Sequence, residues 1–210
     1  YDATATGVSF SAENGAAFTG GTARSSYLSL PTEIFDRILG NNRMTISFWV
    51  KDDQGTHHNA FGFGNGTECN PDNGGAKHFI VNTNDGDNLL VNACPKGWQG
   101  NTNKITTAAP AAGTWCHLTI VMEGRTLSLY KDGAKVNTVT ADYSPAEMDS
   151  IAFAYIGNAI YAHNGDKDFK GNIKDFRIYD FALSEEEAAG FMEESIKEEL
   201  MADLQAALNL

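Results

Sequence analysis

The run Trp115-Cys116-His117-Leu118-Thr119-Ile120-Val121-Met122-Glu123 is followed by Thr126-Leu127-Ser128-Leu129-Tyr130-Lys131 and by Lys135-Val136-Asn137-Thr138-Val139-Thr140. Glu123-Gly124 and Asp132-Gly133 bracket the middle run. Gly and Asp-Gly favour tight reversals, so residues 115–140 predict a three-strand antiparallel meander. In the first run Cys116, Leu118, Ile120 and Met122 share one parity, the inward face of a strand. Cys116 is therefore expected to be a buried thiol that packs as a small hydrophobe.

The same alternation extends outward to Tyr27–Leu30, Met44–Lys51, Ala60–Gly64, His78–Thr83, Leu89–Ala93, Ile151–Gly157 and Gly171–Tyr179. Many short strands without intervening helical periods predict an all-β antiparallel sandwich rather than an α/β protein. In the second of these runs Met44, Ile46, Phe48 and Val50 form a buried face and Trp49 lies opposite. Ile173, Phe176 and Ile178 share a face only if an extra residue is inserted near Lys174-Asp175, so a bulge is expected there. Ser184 and Glu187 form a capping box that opens an acidic helix. Its Met192, Ile196, Leu200, Leu204 and Leu208 recur every four residues. Residues 1–183 are thus read as the sandwich, and 184–210 as a helix that packs on it or leads to a neighbouring domain.

The chain carries a net charge of -12, of which residues 184–210 contribute eight acids and one lysine. Its fifteen Lys and Arg are scattered, which argues against nucleic acid or an anionic membrane as partner. No stretch is apolar for long enough to insert in a bilayer. Tyr1-Asp2-Ala3-Thr4 has no leader character, so the expectation is a processed or internal start. Three cysteines cannot all pair. Cys69 and Cys94 lie in two Gly/Asn/Pro-rich segments where a bridge would staple irregular backbone, and they are the expected disulfide.

Four segments, Met44–Lys51, Trp115–Leu118, Leu129-Tyr130-Lys131-Asp132-Gly133 and Gly171–Ser184, resemble in order and spacing the laminin G-like branch of the concanavalin A-like lectin/glucanase superfamily. The resemblance covers roughly residues 10–190. It implies a jelly-roll sandwich of two antiparallel sheets, one curved, with ligands bound on the concave face or among loops at one rim, often beside calcium. Hydrolases of that superfamily carry a Glu-x-Asp-x-x-Glu strand whose carboxylates act across a glycosidic bond. Here Glu147-Met148-Asp149-Ser150-Ile151-Ala152 lacks the last acid, and these carboxylates read as solvated. With no zinc spacing, serine elbow or phosphate loop either, the domain is expected to be non-catalytic.

Sugars are held by aromatic faces and by amides or carboxylates that meet hydroxyl pairs. Trp98, in a polar loop, is the leading stacking candidate, with packing over a Cys69–Cys94 bridge as its alternative. Trp49 and Trp115 are assigned to the core. His57, His58 and Asn59, with Asn82 and Asn92, could converge on one rim, and Tyr161 and His163 form a second loop cluster. For a structural calcium the resemblance points to Asp166, Asp168 or Asp175, although Lys170 and Arg177 break any EF-hand pattern. Asn84-Asp85-Gly86-Asp87-Asn88 is as oxygen-rich, and equally an ordinary turn. The expected role is a carbohydrate-binding module, for an oligo- or polysaccharide, within a larger secreted or cell-surface bacterial protein such as a glycoside hydrolase. The competing reading is an adhesion, protein-binding or spacer domain.

Overall fold

The computed structural model describes residues 2–53, 58–66, 76–96, 103–160 and 165–208. Among these residues the strands are β1 (Thr4–Thr6), β2 (Ser9–Ser11), β3 (Gly15–Gly21), β4 (Tyr27–Ser29), β5 (Arg43–Asp52), β6 (His58–Gly64), β7 (His78–Asn84), β8 (Asn88–Cys94), β9 (Ile105–Ala108), β10 (Trp115–Glu123), β11 (Thr126–Lys131), β12 (Ala134–Thr140), β13 (Phe153–Ile156) and β14 (Lys167–Tyr179). A short helix α1 (Asp36–Asn41) precedes β5, and α2 (Glu185–Leu208) closes the described chain.

The strands form two antiparallel arrays. The first runs β9-β8-β7-β6-β13-β4-β1 and the second β2-β3-β14-β5-β10-β11-β12. The start of β14 joins them by pairing in parallel with β6, Lys167 to His58 and Asp168 to Asn59. Each array turns one face inward, as a sandwich requires. Between β5 and β10 the pairs Met44/Met122, Ile46/Ile120, Phe48/Leu118 and Val50/Cys116 fall in unbroken register, and all eight are buried. They meet Phe61, Phe63, Phe79, Val81, Leu89 and Val91 of the first sheet in one core. Burial raises the Cys116 thiol to about 12, so it is a protonated, inert packing group.

The meander is as expected, with Gly124 at φ 54°, Asp132 at 51° and Gly133 at 75°, the left-handed conformations that tight hairpins need. The bulge is present as well. Lys174 pairs with Trp49 and Arg177 with Ser47, three steps against two, with Asp175 at φ 50°. The extra residue keeps Phe176 and Ile178 against the core.

Helix α2 begins at the expected box: Ser184 N–H donates to Glu187 Oε2 at 2.8 Å, and Glu187 N–H to Ser184 Oγ at 3.3 Å. The helix lies on the outer face of the second sheet, but through a different stripe from the one its sequence suggests. Ala188, Phe191 and Ser195 are buried. Ala188 packs on Val121 and Tyr130, and Phe191 meets Tyr179 edge-on. Ile196, Leu200, Met201 and Leu204 face away, with Leu200 62% and Leu204 54% exposed. No described helix is long and apolar enough to cross a membrane.

Candidate functional site

Alternation along a strand decides what the first sheet shows on its outside. Phe79 and Val81 of β7, and Leu89, Val91 and Ala93 of β8, point into the core. His78, Ile80 and Asn82, and Leu90, Asn92 and Cys94, therefore take the opposite face. The register places Asn82 beside Asn59 and Leu90, and Ile80 beside Asn92 and Gly62. On the other side of β6, Gly62 pairs with Tyr155 and Gly64 with Phe153, and Tyr155 pairs with Ser29 of β4. Amides thus stand at one side of this face and aromatic rings at the other, separated by two glycines.

A Cβ at Gly62 would lie 3.1 Å from Ile160 Cγ2 and 3.3 Å from Asn59 Oδ1, and one at Gly64 only 2.5 Å from His78 Cδ2. The missing side chains let these groups sit down on the strand. Ile160 joins Ile80, Leu90, Cys94 and Phe153 in a small apolar cluster, with Tyr155 packed against it. Phe153 stacks on Tyr155, which meets Tyr27 edge-on at 5.4 Å. Tyr27 and Tyr155 keep part of their rings accessible.

Asn92 donates its amide to Cys94 Sγ at 3.0 Å. Asn59 and Asn82 are both 3% exposed, yet their Oδ1 atoms have no hydrogen-bond partner among the described residues. A buried acceptor left in this state costs about 1–3 kcal/mol. Two such acceptors on adjacent strands mark capacity for donors that the described residues do not supply.

Asn59, Asn82 and Asn92, expected from sequence to converge, are brought to one face here, joined by Tyr155, Phe153 and Tyr27. The alternation of Phe153 and Tyr155 against Ala154 and Ile156 carried the signal for the rings. For Asn59 the shift of register between Asn59 and Phe61 hid its face. Trp98, His57, Tyr161, His163 and Cys69 lie outside the described residues, as does the side chain of His58. Cys94 sits on this face, and its expected partner Cys69 is not among the residues described.

Of the three acids, the carboxylates of Asp168 and Asp175 are bound to other groups. Asp168 is clasped by Arg24. Asp175 accepts from Arg177 Nε and from Ser195 Oγ, both at 2.5 Å. Asp166 offers its carbonyl to Arg24 at 3.2 Å. Among the described residues no three His, Cys, Asp or Glu side chains gather as a metal-binding group. The Asn84–Asn88 segment is a hairpin turn closed by Asn84 Oδ1, which accepts Asp87 N–H at 3.0 Å, and by Asn88 Nδ2, which donates to Gly86 O at 2.9 Å.

Three other expectations need correction. Trp115 is not in the core: its parity puts it on the outer face of the second sheet, where Lys51 and Lys174 each bring Nζ to 5.1 Å from the ring centre. Trp49 does serve packing, but under α2, where its indole N–H donates to Ser195 Oγ at 3.0 Å. Glu147 is not simply solvated. It binds Arg125 at 2.5 Å and caps Ser144 N–H at 2.8 Å, which holds its carboxyl down to about 2.

A Ser–His pair also appears: Ser47 Oγ lies 3.0 Å from His117 Nε2, a nucleophile–base spacing. Both are 1% exposed, beneath the face that α2 covers. Burial lowers the imidazole to about 4. The pair is a sealed structural hydrogen bond.

The architecture has relatives among solved structures. Domain 4 of AbnA, a GH43 extracellular arabinanase from Geobacillus stearothermophilus solved with arabinotriose, superposes with a TM-score of 0.64 at 18% identity, covering 89% of this chain and 86% of that one. The CBM40 of Ruminococcus gnavus IT-sialidase, bound to α2,3-sialyllactose, gives 0.64 at 15% identity, covering 83% and 94%. The binding domain of botulinum neurotoxin DC, in complex with rat synaptotagmin II, gives 0.56 at 14% identity, covering 92% and 47%. At these identities the likeness is one of fold. No curated protein matches the chain by sequence. A family model, Laminin_G_3, matches residues 20–189, and with more than half its length matched the chain belongs to that family of the concanavalin A-like lectin/glucanases superfamily.

Proposed function

We propose that this domain is a non-catalytic carbohydrate-binding module whose site is the outer face of the first sheet. The observation that carries the reading is the pair of buried acceptors, Asn59 Oδ1 and Asn82 Oδ1, left unpartnered among the described residues on the same sheet face as the half-exposed Tyr27 and Tyr155. Sugar hydroxyls donate to such amides, and the apolar face of a pyranose or furanose stacks on such rings. The solved relatives captured with arabinotriose and sialyllactose support the class of ligand. The domain works within a larger secreted or cell-surface bacterial protein, such as a glycoside hydrolase, and supplies attachment to the glycan rather than bond cleavage.

The test is a glycan array that includes arabinans and sialosides, probed with the wild type, Asn82→Ala and Trp98→Ala. Selective binding that Asn82→Ala weakens supports the reading. Absence of binding to any glycan overturns it. A second reading, protein binding or adhesion, is favoured by one feature, the exposed Ile196, Leu200, Met201 and Leu204 on α2.

A further inference from the structure

Arg24 lies in the connection between β3 and β4 in a left-handed conformation, φ 52°, which a side-chain-bearing residue adopts only when its surroundings compensate. Its guanidinium explains the compensation. Nη1 donates to Asn158 Oδ1 at 3.2 Å and to Asp168 Oδ1, and Nη2 donates to the Asp166 carbonyl at 3.2 Å. The Asp168 side chain is fully buried. Its Oδ1 also accepts the Ala159 N–H at 3.2 Å, and its Oδ2 has no hydrogen-bond partner among the described residues.

One carboxylate, one amide oxygen and one backbone carbonyl therefore converge on a single positive charge. That donor set is the kind a hard divalent cation takes. A buried carboxylate needs a compensating cation, and here the chain provides it. Calcium does not fit at Asp166 and Asp168 while the guanidinium fills the space between their oxygens, because two cations would share one buried carboxylate. Asp175 cannot complete such a site, since it is bound to Arg177 and Ser195 near α2.

We propose that Arg24 is a built-in substitute for a structural metal ion: its guanidinium occupies a cation position in an oxygen cage, and removing it converts the cage into a calcium site. The cage ties the start of β14 to the segment Asn158–Ile160, so its cation sets the stability of that junction whether or not the neighbouring face binds glycan.

The test compares thermal unfolding of the wild type and Arg24→Gly, in chelator and in millimolar calcium. Glycine suits φ 52° and leaves room for an ion and its waters. Arg24→Gly is expected to melt about 10 °C lower in chelator, to recover at least half of that loss in calcium but not in magnesium, and to bind one calcium by calorimetry. The wild type is expected to melt at the same temperature in both. Arg24→Gln, which keeps amide donors without the charge, gives the same comparison in a milder form, with a smaller loss and a smaller calcium gain. Equal calcium responses in wild type and both variants overturn the proposal, as does a wild type that is stabilised by calcium more than Arg24→Gly.

Discussion

The two sheets solve the same problem on their outer faces in opposite ways. Both faces carry polar side chains on strands whose other side is in the core. On the second sheet the chain supplies most of the partners: Ser47 meets His117 at 3.0 Å, Trp49 meets Ser195 at 3.0 Å, and Thr45 Oγ1 donates to Phe181 O at 2.8 Å, while the Thr119 hydroxyl, 1% exposed, has no partner among the described residues. Helix α2 then closes the face. On the first sheet Asn59 and Asn82, paired across adjacent strands, both keep acceptors that no group among the described residues satisfies. Polarity on a sheet face, or one unpartnered hydroxyl, is thus not itself a sign of function. The sign is neighbouring acceptors that lack partners together on a face shared with aromatic rings, because their desolvation cost persists until a ligand or water meets it.

The largest effect should come from breaking the closed face. Trp49→Ala removes a half-buried indole and its bond to Ser195, and should lower unfolding stability by about 3 kcal/mol while glycan affinity stays within about twofold, since distant sites act independently. Denaturant unfolding beside a binding titration checks both. A comparable loss is expected with acid. Burial holds His117 near 4 rather than 6.5, so below 6.5 the unfolded chain binds one more proton than the folded chain. This stability is full above about pH 6.5 and declines as pH falls towards 4, by at most about 3 kcal/mol. His117→Gln should flatten that part of the pH profile, and an unchanged slope in the variant would refute the assignment.

On the outer face of the first sheet the balance reverses. Asn82→Ala should weaken glycan binding by roughly tenfold, the worth of one hydrogen bond to a buried group, and leave the melting temperature unchanged or slightly higher. A fall in stability without a change in affinity would move Asn82 to the class of Ser47. The smallest effect is expected at Leu204→Ser on α2, within about 0.5 kcal/mol of wild type. A larger loss would mean that the helix stripe is packed rather than open to a partner.

How much of this was legible in the sequence follows from which interactions are local. Strand parity exposed the core faces of β5 and β10, the bulge at Lys174-Asp175 and the Ser184–Glu187 cap, because each is decided within a few residues. Strands β1 and β2 were missed because they are three residues long and largely exposed, with no buried face to impose alternation. Gly15–Gly21 hid Ala16 and Phe18 among glycines. The periodic leucines of α2 suggested the wrong packing stripe, since Ala188 and Ser195 are buried by small size and by the indole of Trp49, neither of which hydropathy registers. Asn59, Asn82 and Asn92 could be placed where neighbouring strand ends converge. That Tyr27 and Tyr155 share their face, and that Arg24 reaches Asp168 from 144 positions away, depends on tertiary pairing that no local pattern carries.

On this reading glycan is bound at the outer face of the first sheet and not at the one that α2 covers. Isothermal titration of the best array ligand against Asn59→Ala/Asn82→Ala and against Trp49→Ala tests it most directly. The account predicts that binding is lost in the double variant and retained in Trp49→Ala. Full binding by the double variant, or loss confined to Trp49→Ala, would contradict it.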